Sequence, residues 1–230
     1  MLDRRLEPEV MDTSEDARDY DAMDHSTVNR VFVDDFLAFV HATECWLRFA
    51  DPAQPPQILD VGTGTALIPI ELCRRPSACR ITAIDLAAEM LKLADLNIAT
   101  SGLQQQIQIA QIDAKQLPYG VGTFDAVISN SIVHHIPNPS AVLSEIVRVL
   151  RDRGILFVRD LLRPNSLAEV DHLVTTYAGK ENSHSQQLFR DSLHAALSLD
   201  EVRQLAEHCG IAASAVTQTS DRHWTLAWAR

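Results

Sequence analysis

The sequence is poor in several things, and each scarcity narrows what it can be. No apolar run is long enough to cross a bilayer, which sets aside membrane insertion. No basic cluster appears. The 20 lysines and arginines are scattered among 31 acidic residues, for a formal net charge of −11. Such a surface repels phosphate backbones, so no nucleic-acid partner is expected. Cysteine is sparse: Cys45, Cys73, Cys79 and Cys209 make no familiar zinc spacing, and no metal site is read from the sequence. Thiols this few fit a reducing compartment as buried or idle groups. The opening M-L-D-R-R-L-E-P-E is too charged for a secretory signal, so a cytoplasmic protein is expected. Internal repeats and low-complexity segments are missing too.

What is present suits a globular domain. Apolar residues make up 46% of 230, enough for a core, and the length favours one domain with decorations. Residues 1–25 read as acidic and irregular. From Ser26 a helical pattern puts Val28, Phe32, Phe36, Phe39 and Val40 on one face, with Ser26 or Thr27 as its cap. The run Asp51-Pro-Ala-Gln-Pro-Pro56 then breaks the chain.

Strands and helices alternate beyond that break. Strands are expected at 57–61, 80–85, 107–112, 124–129 and 155–161. Asn138 and Pro139 start the helix whose inner stripe is Leu143, Ile146, Val147 and Leu150. This rhythm implies a parallel sheet covered on both faces. After Pro164 it changes. A helix carries Leu167, Val170, Val174 and Tyr177 on one face, and a polar loop K-E-N-S-H-S-Q-Q follows. Ser198 and Glu201 match a capping box, and 212–219 and 224–229 read as a closing hairpin. The expected architecture is therefore α/β: a doubly wound, mostly parallel seven-stranded sheet with an antiparallel strand at one edge. It carries an N-terminal helical cap over 1–55, a cofactor-binding core over 56–163, a lid insertion over 164–197 and a C-terminal helix and hairpin over 198–230.

The stretch I-L-D-V-G-T-G-T-A at 58–66 holds the chemistry. A dinucleotide fingerprint would need a glycine where Leu67 stands, and no Gly-Lys-Ser/Thr follows for a phosphate loop. Asp60 before Gly62-Thr63-Gly64 would repel a pyrophosphate and suit a cofactor bearing positive charge. Asp85 ends the second strand, where an acid accepts from two ribose hydroxyls. Asp113-Ala114 follows the third, where an acid accepts from an adenine amine. Asn130-Ser131 ends the fourth, beyond which open sheets bind ligands. Taken singly, the Gly-x-Gly is also an ordinary turn and Asp60 also a helix cap.

These segments resemble, in order, the motifs of the class I S-adenosylmethionine-dependent methyltransferases: I-L-D-V-G-T-G-T-A, A-I-D-L-A-A-E-M-L, Q-I-D-A-K-Q-L-P-Y, F-D-A-V-I-S-N-S-I-V-H-H-I and V-L-R-D-R-G-I-L-F-V-R-D. The resemblance covers roughly 56–162. One position departs: Ala66 stands where the family has a third glycine, and a slightly wider turn is expected there. The resemblance implies S-adenosyl-L-methionine as cofactor. Asp60, Gly62, Thr63 and Gly64 would hold its methionine part, Asp85, Leu86 and Met90 its ribose region, Asp113 and Ala114 its adenine. Asn130 and Ser131 would lie beside the reactive end.

For the methyl acceptor, His134 and His135 follow the fourth strand, and a neutral imidazole suits a base acting on a hydroxyl or carbon acid. One of two adjacent histidines ordinarily faces away and packs. Asp160 is placed to orient a histidine or to bind a polar acceptor. No N-P-P-Y or D-P-P-Y occurs, which speaks against methylation of a nucleobase amine. Tyr20, His25 and Asn29, with Phe189, Arg190, Asp191, Ser192 and His194, are the candidates for covering the acceptor. A small-molecule acceptor methylated on oxygen or carbon is expected, with a homodimer allowed. The alternatives are a non-catalytic binder of the same cofactor and an NAD-dependent enzyme.

Overall fold

Seven strands line up because their cores are runs of apolar residues that can be buried from both sides. In the computed structural model they are β1 (Gln57–Val61), β2 (Arg80–Asp85), β3 (Ile107–Gln111), β4 (Phe124–Asn130), β5 (Leu150–Leu161), β6 (Val216–Gln218) and β7 (His223–Ala229). The structure describes residues 2–8, 10, 12–43, 53–75 and 79–230; Cys45, Asp51, Pro52 and 76–78 lie outside that description. The sheet order is β3-β2-β1-β4-β5-β7-β6. β1 is parallel to both β2 and β4, β2 to β3, and β4 to β5, while β7 runs antiparallel to β5 and to β6. This is the expected doubly wound sheet with its antiparallel edge.

Eight helices are described: α1 (Ser14–Ala22), α2 (Ser26–Ala42), α3 (Leu67–Cys73), α4 (Ala88–Ser101), α5 (Pro139–Val149), α6 (Leu167–Ala178), α7 (Ser183–Ala195) and α8 (Leu199–His208). The strands alternate their side chains between two cores. Ile58, Ile81, Ala126, Ile128, Ile155 and Phe157 join Phe32 and Phe36 of α2, Ile70 of α3 and Ile98 of α4. Leu59, Val127, Leu156 and Val158 join Val142 and Ile146 of α5 and Val202 of α8. Helix starts follow sequence chemistry. The Asn138 side chain accepts from the Ser140 amide ahead of α5, and Ser198 and Glu201 form a reciprocal capping box on α8.

Several local expectations are corrected. Residues 14–22 form α1 within a stretch too polar to show an apolar stripe. The buried stripe of α2 is Asn29, Phe32, Val33, Phe36 and Val40, with Val28 exposed. Neither Ser26 nor Thr27 caps α2; the Ser26 amide instead donates to Asp24. The polar S-H-S-Q-Q run opens α7, capped by Asn182. β5 begins five residues early, at Leu150, since Phe124 pairs with Leu150 and Arg151 reaches Asp125 at 2.8 Å. β6 keeps only three residues because 213–215 wind into a 3-10 turn. Leu167 and Tyr177 lie exposed on α6; the Arg222 guanidinium stacks on the Tyr177 ring, 3.3 Å from its centre.

Candidate functional site

The chain leaves β1 toward β2 on one side and returns to β4 on the other, which opens a crevice at the carboxyl ends of β1 and β4. The turn after β1 forms its floor. Gly62 and Gly64 both take left-handed backbone, φ 72° and 53°, and the amides of Gly62 and Thr63 both donate to the Ile84 carbonyl at 2.9 Å. A methyl group on Gly62 would sit 2.1 Å from Ile132 Cγ2, so the close neighbour that excludes a side chain is Ile132. Gly64 is more open, with the Tyr20 ring 3.7 Å from such a position. The turn closes at Ala66, whose amide donates to the Thr63 carbonyl at 2.9 Å. That residue takes the left-handed conformation itself, φ 63°, fully buried at the start of α3. An L-residue there costs roughly 1–2 kcal/mol, which the packed turn must offset.

A cavity of about 840 Å³, mouth included, runs along this crevice. Its wall includes Gly62, Gly64, Asp85, Leu86, Met90, Asp113, Ala114, Asn130, Ser131 and His135 from the expected set, and Val10, Tyr20, Lys115 and Ile132 besides. Asp85 is built in firmly: Oδ2 accepts from the Gly64 amide at 2.8 Å and Oδ1 from the Ala87 amide at 2.9 Å. Burial raises its pKa, and those amide donors work against the rise. Asp113 Oδ1 accepts from the Lys115 amide at 2.9 Å. Asn130 Oδ1 is buried with no partner, an acceptor left for a ligand. Ser131 holds φ 58°, a strained position at a strand end.

Asp60 stands apart among the three acids. It lies behind the turn, 2% exposed, and is not part of the cavity wall; Thr63 is likewise buried. Its strand is central: β1 is paired along both edges, with β2 and β4, in a sheet packed on both faces. Burial, with the neighbouring Asp85 charge, pushes its pKa up to about 7, while the Thr63 hydroxyl opposes the shift without an aligned hydrogen bond.

The far end of the cavity holds the histidines, on a short 3-10 turn at 133–135. Their rings lie 4.2 Å apart, centre to centre, at different depths. His135 is in the wall, and His134 is buried beneath it. His134 Nδ1 donates to Asp160 Oδ1 at 2.5 Å, and Asp160 also accepts from the Val133 and Leu161 amides. Burial disfavours the charged His134 ring, but the Asp160 charge and hydrogen bond outweigh it and raise its pKa. Asp160 is lowered in turn: burial opposes its charge, and His134 with the amides overcomes that. Burial and the neighbouring His134 drive His135 down to about 3, so it is a neutral ring at the cavity.

Glu7 is the residue that sequence reading missed. Its Oε1 lies 3.1 Å from His135 Nδ1, out of hydrogen-bond alignment, and 3.6 Å from His134 Nε2. Its segment is tied down by Arg4, whose guanidinium donates to the carbonyls of Ala195, Ile136 and His134 at 2.7, 2.9 and 3.1 Å. Nothing periodic marks R-R-L-E-P-E, so only the fold places it. Of the expected covering residues, Tyr20 enters the cavity wall. His25 stacks on the Tyr20 ring, centroids 4.4 Å apart, and Asn29 is buried in α2. Phe189 packs with Leu2 against α6, Arg190 pairs with Asp171 at 2.6 Å, and Asp191 accepts from Gln187. Ser192 donates to Glu7 Oε2 at 3.2 Å, and the His194 carbonyl accepts from the Arg5 amide.

Comparison with known proteins agrees with this geometry. Residues 59–158 match the family model described as a methyltransferase domain. The malonyl-[acyl-carrier protein] O-methyltransferase of Geobacter sulfurreducens is 31% identical over 210 residues, covering 91% of this chain and 71% of the relative. The demethylmenaquinone methyltransferase of Porphyromonas gingivalis is 34% identical over 121 residues; the match covers 52% of this chain and 49% of the relative, about half its length. Among solved structures, a SAM-dependent methyltransferase from Aquifex aeolicus aligns with TM-score 0.57 and 20% identity over 75% of this chain and 80% of that one. The plantazolicin methyltransferase BamL, bound to SAH, gives 0.66 and 20% over 85% and 67%. At such identity these two likenesses speak for the fold.

A switch-point cleft with a glycine turn and an acid after each of two neighbouring strands suits a nucleoside cofactor, and the matched domain makes the chain a methyltransferase. The chain belongs to the class I S-adenosylmethionine-dependent methyltransferases, and S-adenosylmethionine is its cofactor. No described helix is long and apolar enough to cross a membrane.

Proposed function

We propose that this methyltransferase acts on a small molecule, on oxygen or carbon in preference to nitrogen. The observation that carries the reading is the single cavity with two chemically different ends: Asp85 and Asp113 at one, Asn130 and His135 at the other. Asp85, beside Leu86 and Met90, would accept from the ribose hydroxyls. Asp113 and Ala114 would meet the adenine. The Gly62–Gly64 turn would cradle the methionine part, with Asp60 supplying charge from behind. Asn130 Oδ1 and Ser131 would flank the reactive end.

The bound cofactor supplies an electrophilic methyl group. The chain's own task is then alignment and exclusion of water. His135 offers a neutral ring edge to an acceptor hydroxyl, and Asp160 fixes His134 beneath it. Hairpin α6–α7, the segment of residues 2–8 and Val10 would cover the acceptor. The names of the relatives, an O-methyltransferase of a malonyl thioester carrier and a methyltransferase of a quinone precursor, support acceptors outside the nucleic acids. The net charge of −11 supports the same exclusion.

Titration calorimetry with S-adenosylmethionine, S-adenosylhomocysteine and NAD, followed by tritiated-methyl transfer into metabolite pools, tests this reading. Binding of the first two and not NAD, with label entering a small molecule only when Asp85 is intact, is the expected result. Label entering RNA or DNA instead would overturn it.

A further inference from the structure

Glu7, His134 and His135 form a group that methyl transfer alone does not explain. Among the described residues theirs is the one set of three ligand-type side chains whose donor atoms all lie within 4.8 Å of one another. We propose that it is a binding site for a divalent first-row transition metal ion, held by Glu7 Oε1, His134 Nε2 and His135 Nδ1.

The distances fit. Metal bonds to imidazole nitrogen and carboxylate oxygen of about 2.1 Å separate neighbouring ligand atoms by about 3.0 Å at an octahedral centre and about 3.4 Å at a tetrahedral one. Glu7 Oε1 stands 3.1 Å from His135 Nδ1 and 3.6 Å from His134 Nε2. Two of these atoms also make no aligned hydrogen bond. Glu7 Oε1 and His135 Nδ1 are buried without a hydrogen-bond partner, and the Glu7 side chain is only 9% exposed. Orphaned buried acceptors are costly unless something cationic or a proton donor completes them.

The surroundings are those of metal ligands. His134 gives its Nδ1 hydrogen to Asp160, so Nε2 is the ring atom that faces Glu7, and it would bind an ion on losing its proton. A carboxylate behind a ligating imidazole is the usual arrangement for fixing tautomer and ring. Glu7 Oε2 is fixed by Ser192. Asp160 spends its remaining capacity on backbone amides, so it supports the site without joining it. Arg4 lies nearby, and its guanidinium is committed to four carbonyls, of Ala195, Pro137, His134 and Ile136, which clamps the 133–135 turn and the end of α7. Two imidazoles and one carboxylate leave coordination positions open and suit zinc, iron(II) or manganese better than calcium.

His135 belongs to the cavity wall, so an open position on that side would face the acceptor. A metal-bound hydroxyl group is more acidic than a free one, which would prepare an oxygen acceptor. This last role rests on the oxygen-acceptor reading above; the metal site itself does not.

The test strips the full-length protein with chelator and titrates it with zinc, and separately with cobalt(II), whose visible absorption reports imidazole coordination. One equivalent should bind with a cobalt d–d spectrum. Glu7→Gln and His135→Gln should each weaken it by about 10–100-fold or more, as should Asp160→Asn through His134. S-adenosylhomocysteine titrated into the same variants reports the cofactor site separately and confirms that they fold. Absence of stoichiometric binding would overturn the proposal. So would affinity unchanged by Glu7→Gln and His135→Gln, which would move the ion to the Cys73–Cys79 thiols or the surface.

Discussion

The carboxylate of Asp85 and the backbone amide of Gly64 are joined at 2.8 Å, tying the tip of β2 to the turn after β1. The acid expected to hold the cofactor also holds the glycine turn. Asp85→Ala should therefore weaken cofactor binding by about 1.5–3 kcal/mol, the range for hydrogen bonds to a charged group. It should also lower the melting temperature of the cofactor-free protein. Asp85→Asn keeps an acceptor for the Gly64 amide, so it should recover stability more than affinity. Calorimetry and thermal unfolding on the two variants separate the effects.

Gly62 and Ile132 are a locked pair. Gly62→Ala drives a methyl group to 2.1 Å from Ile132 Cγ2 and 2.8 Å from its Cβ, and a β-branched side chain cannot swing clear. The variant should lose cofactor binding and several kcal/mol of stability, as overpacking at a fixed backbone does. Adding Ile132→Ala should restore most of it. The residue left over, roughly 1–2 kcal/mol, is the cost of left-handed backbone with a Cβ. Denaturant melts of the single and double variants give the difference directly.

Asp60 gives the protein a pH signature. Its pKa stands at about 7 in the fold against an ordinary 3.8, so between those values the folded state keeps a proton that the unfolded chain releases. Stability from this group therefore falls as pH rises from about 4 through 7. The loss is at most about 4 kcal/mol, each pH unit being worth about 1.36. Asp60→Asn should be more stable than the parent at pH 8 and equal to it near pH 3. Binding a cationic cofactor should expel the proton near neutral pH. Calorimetry in buffers of different ionisation enthalpy should show proton release for the parent and none for Asp60→Asn.

Glu201 serves two ends at once. It completes the capping box of α8 and pairs with the buried Arg163 guanidinium at 2.8 and 2.9 Å. Glu201→Ala removes one arm of the capping box, leaving the Ser198 cap, and takes the carboxylate away from the buried Arg163 guanidinium, which keeps the Ala196 carbonyl. A loss of about 2–4 kcal/mol is expected from the two together, less than a fully buried pair because Glu201 is 41% exposed. The double variant Arg163→Met, Glu201→Gln should recover part of it, read from chemical denaturation midpoints.

Much of this was legible in the order of residues. The parallel strands announced themselves because runs such as Gln57–Val61 and Phe124–Asn130 are apolar on both faces, which only a doubly covered sheet demands. Asp85, Asp113 and Asn130 were found because topology puts strand tips beside ligands. What stayed hidden was polar and non-local. α1 has no apolar stripe, and the first turn of α7 is S-H-S-Q-Q, so neither carries a periodic signal. The early start of β5 was masked by R-D-R-G, whose Arg151 is spoken for by Asp125 on the neighbouring strand. Asp60 read as a cleft residue because spacing reports a strand tip and not which neighbours close over it. Glu7 meets the histidines across some 130 positions, beyond any local pattern.

That long reach has a kinetic consequence. Contacts between residues far apart in the chain form late, because the intervening loop must first be closed. The glycine turn and Asp85 belong to the β1–β2 unit and assemble with the sheet. Glu7 and Arg4 dock only when the 133–135 turn and the end of α7 already stand. A refolding molecule should thus become able to hold nucleoside before it becomes able to choose what it modifies.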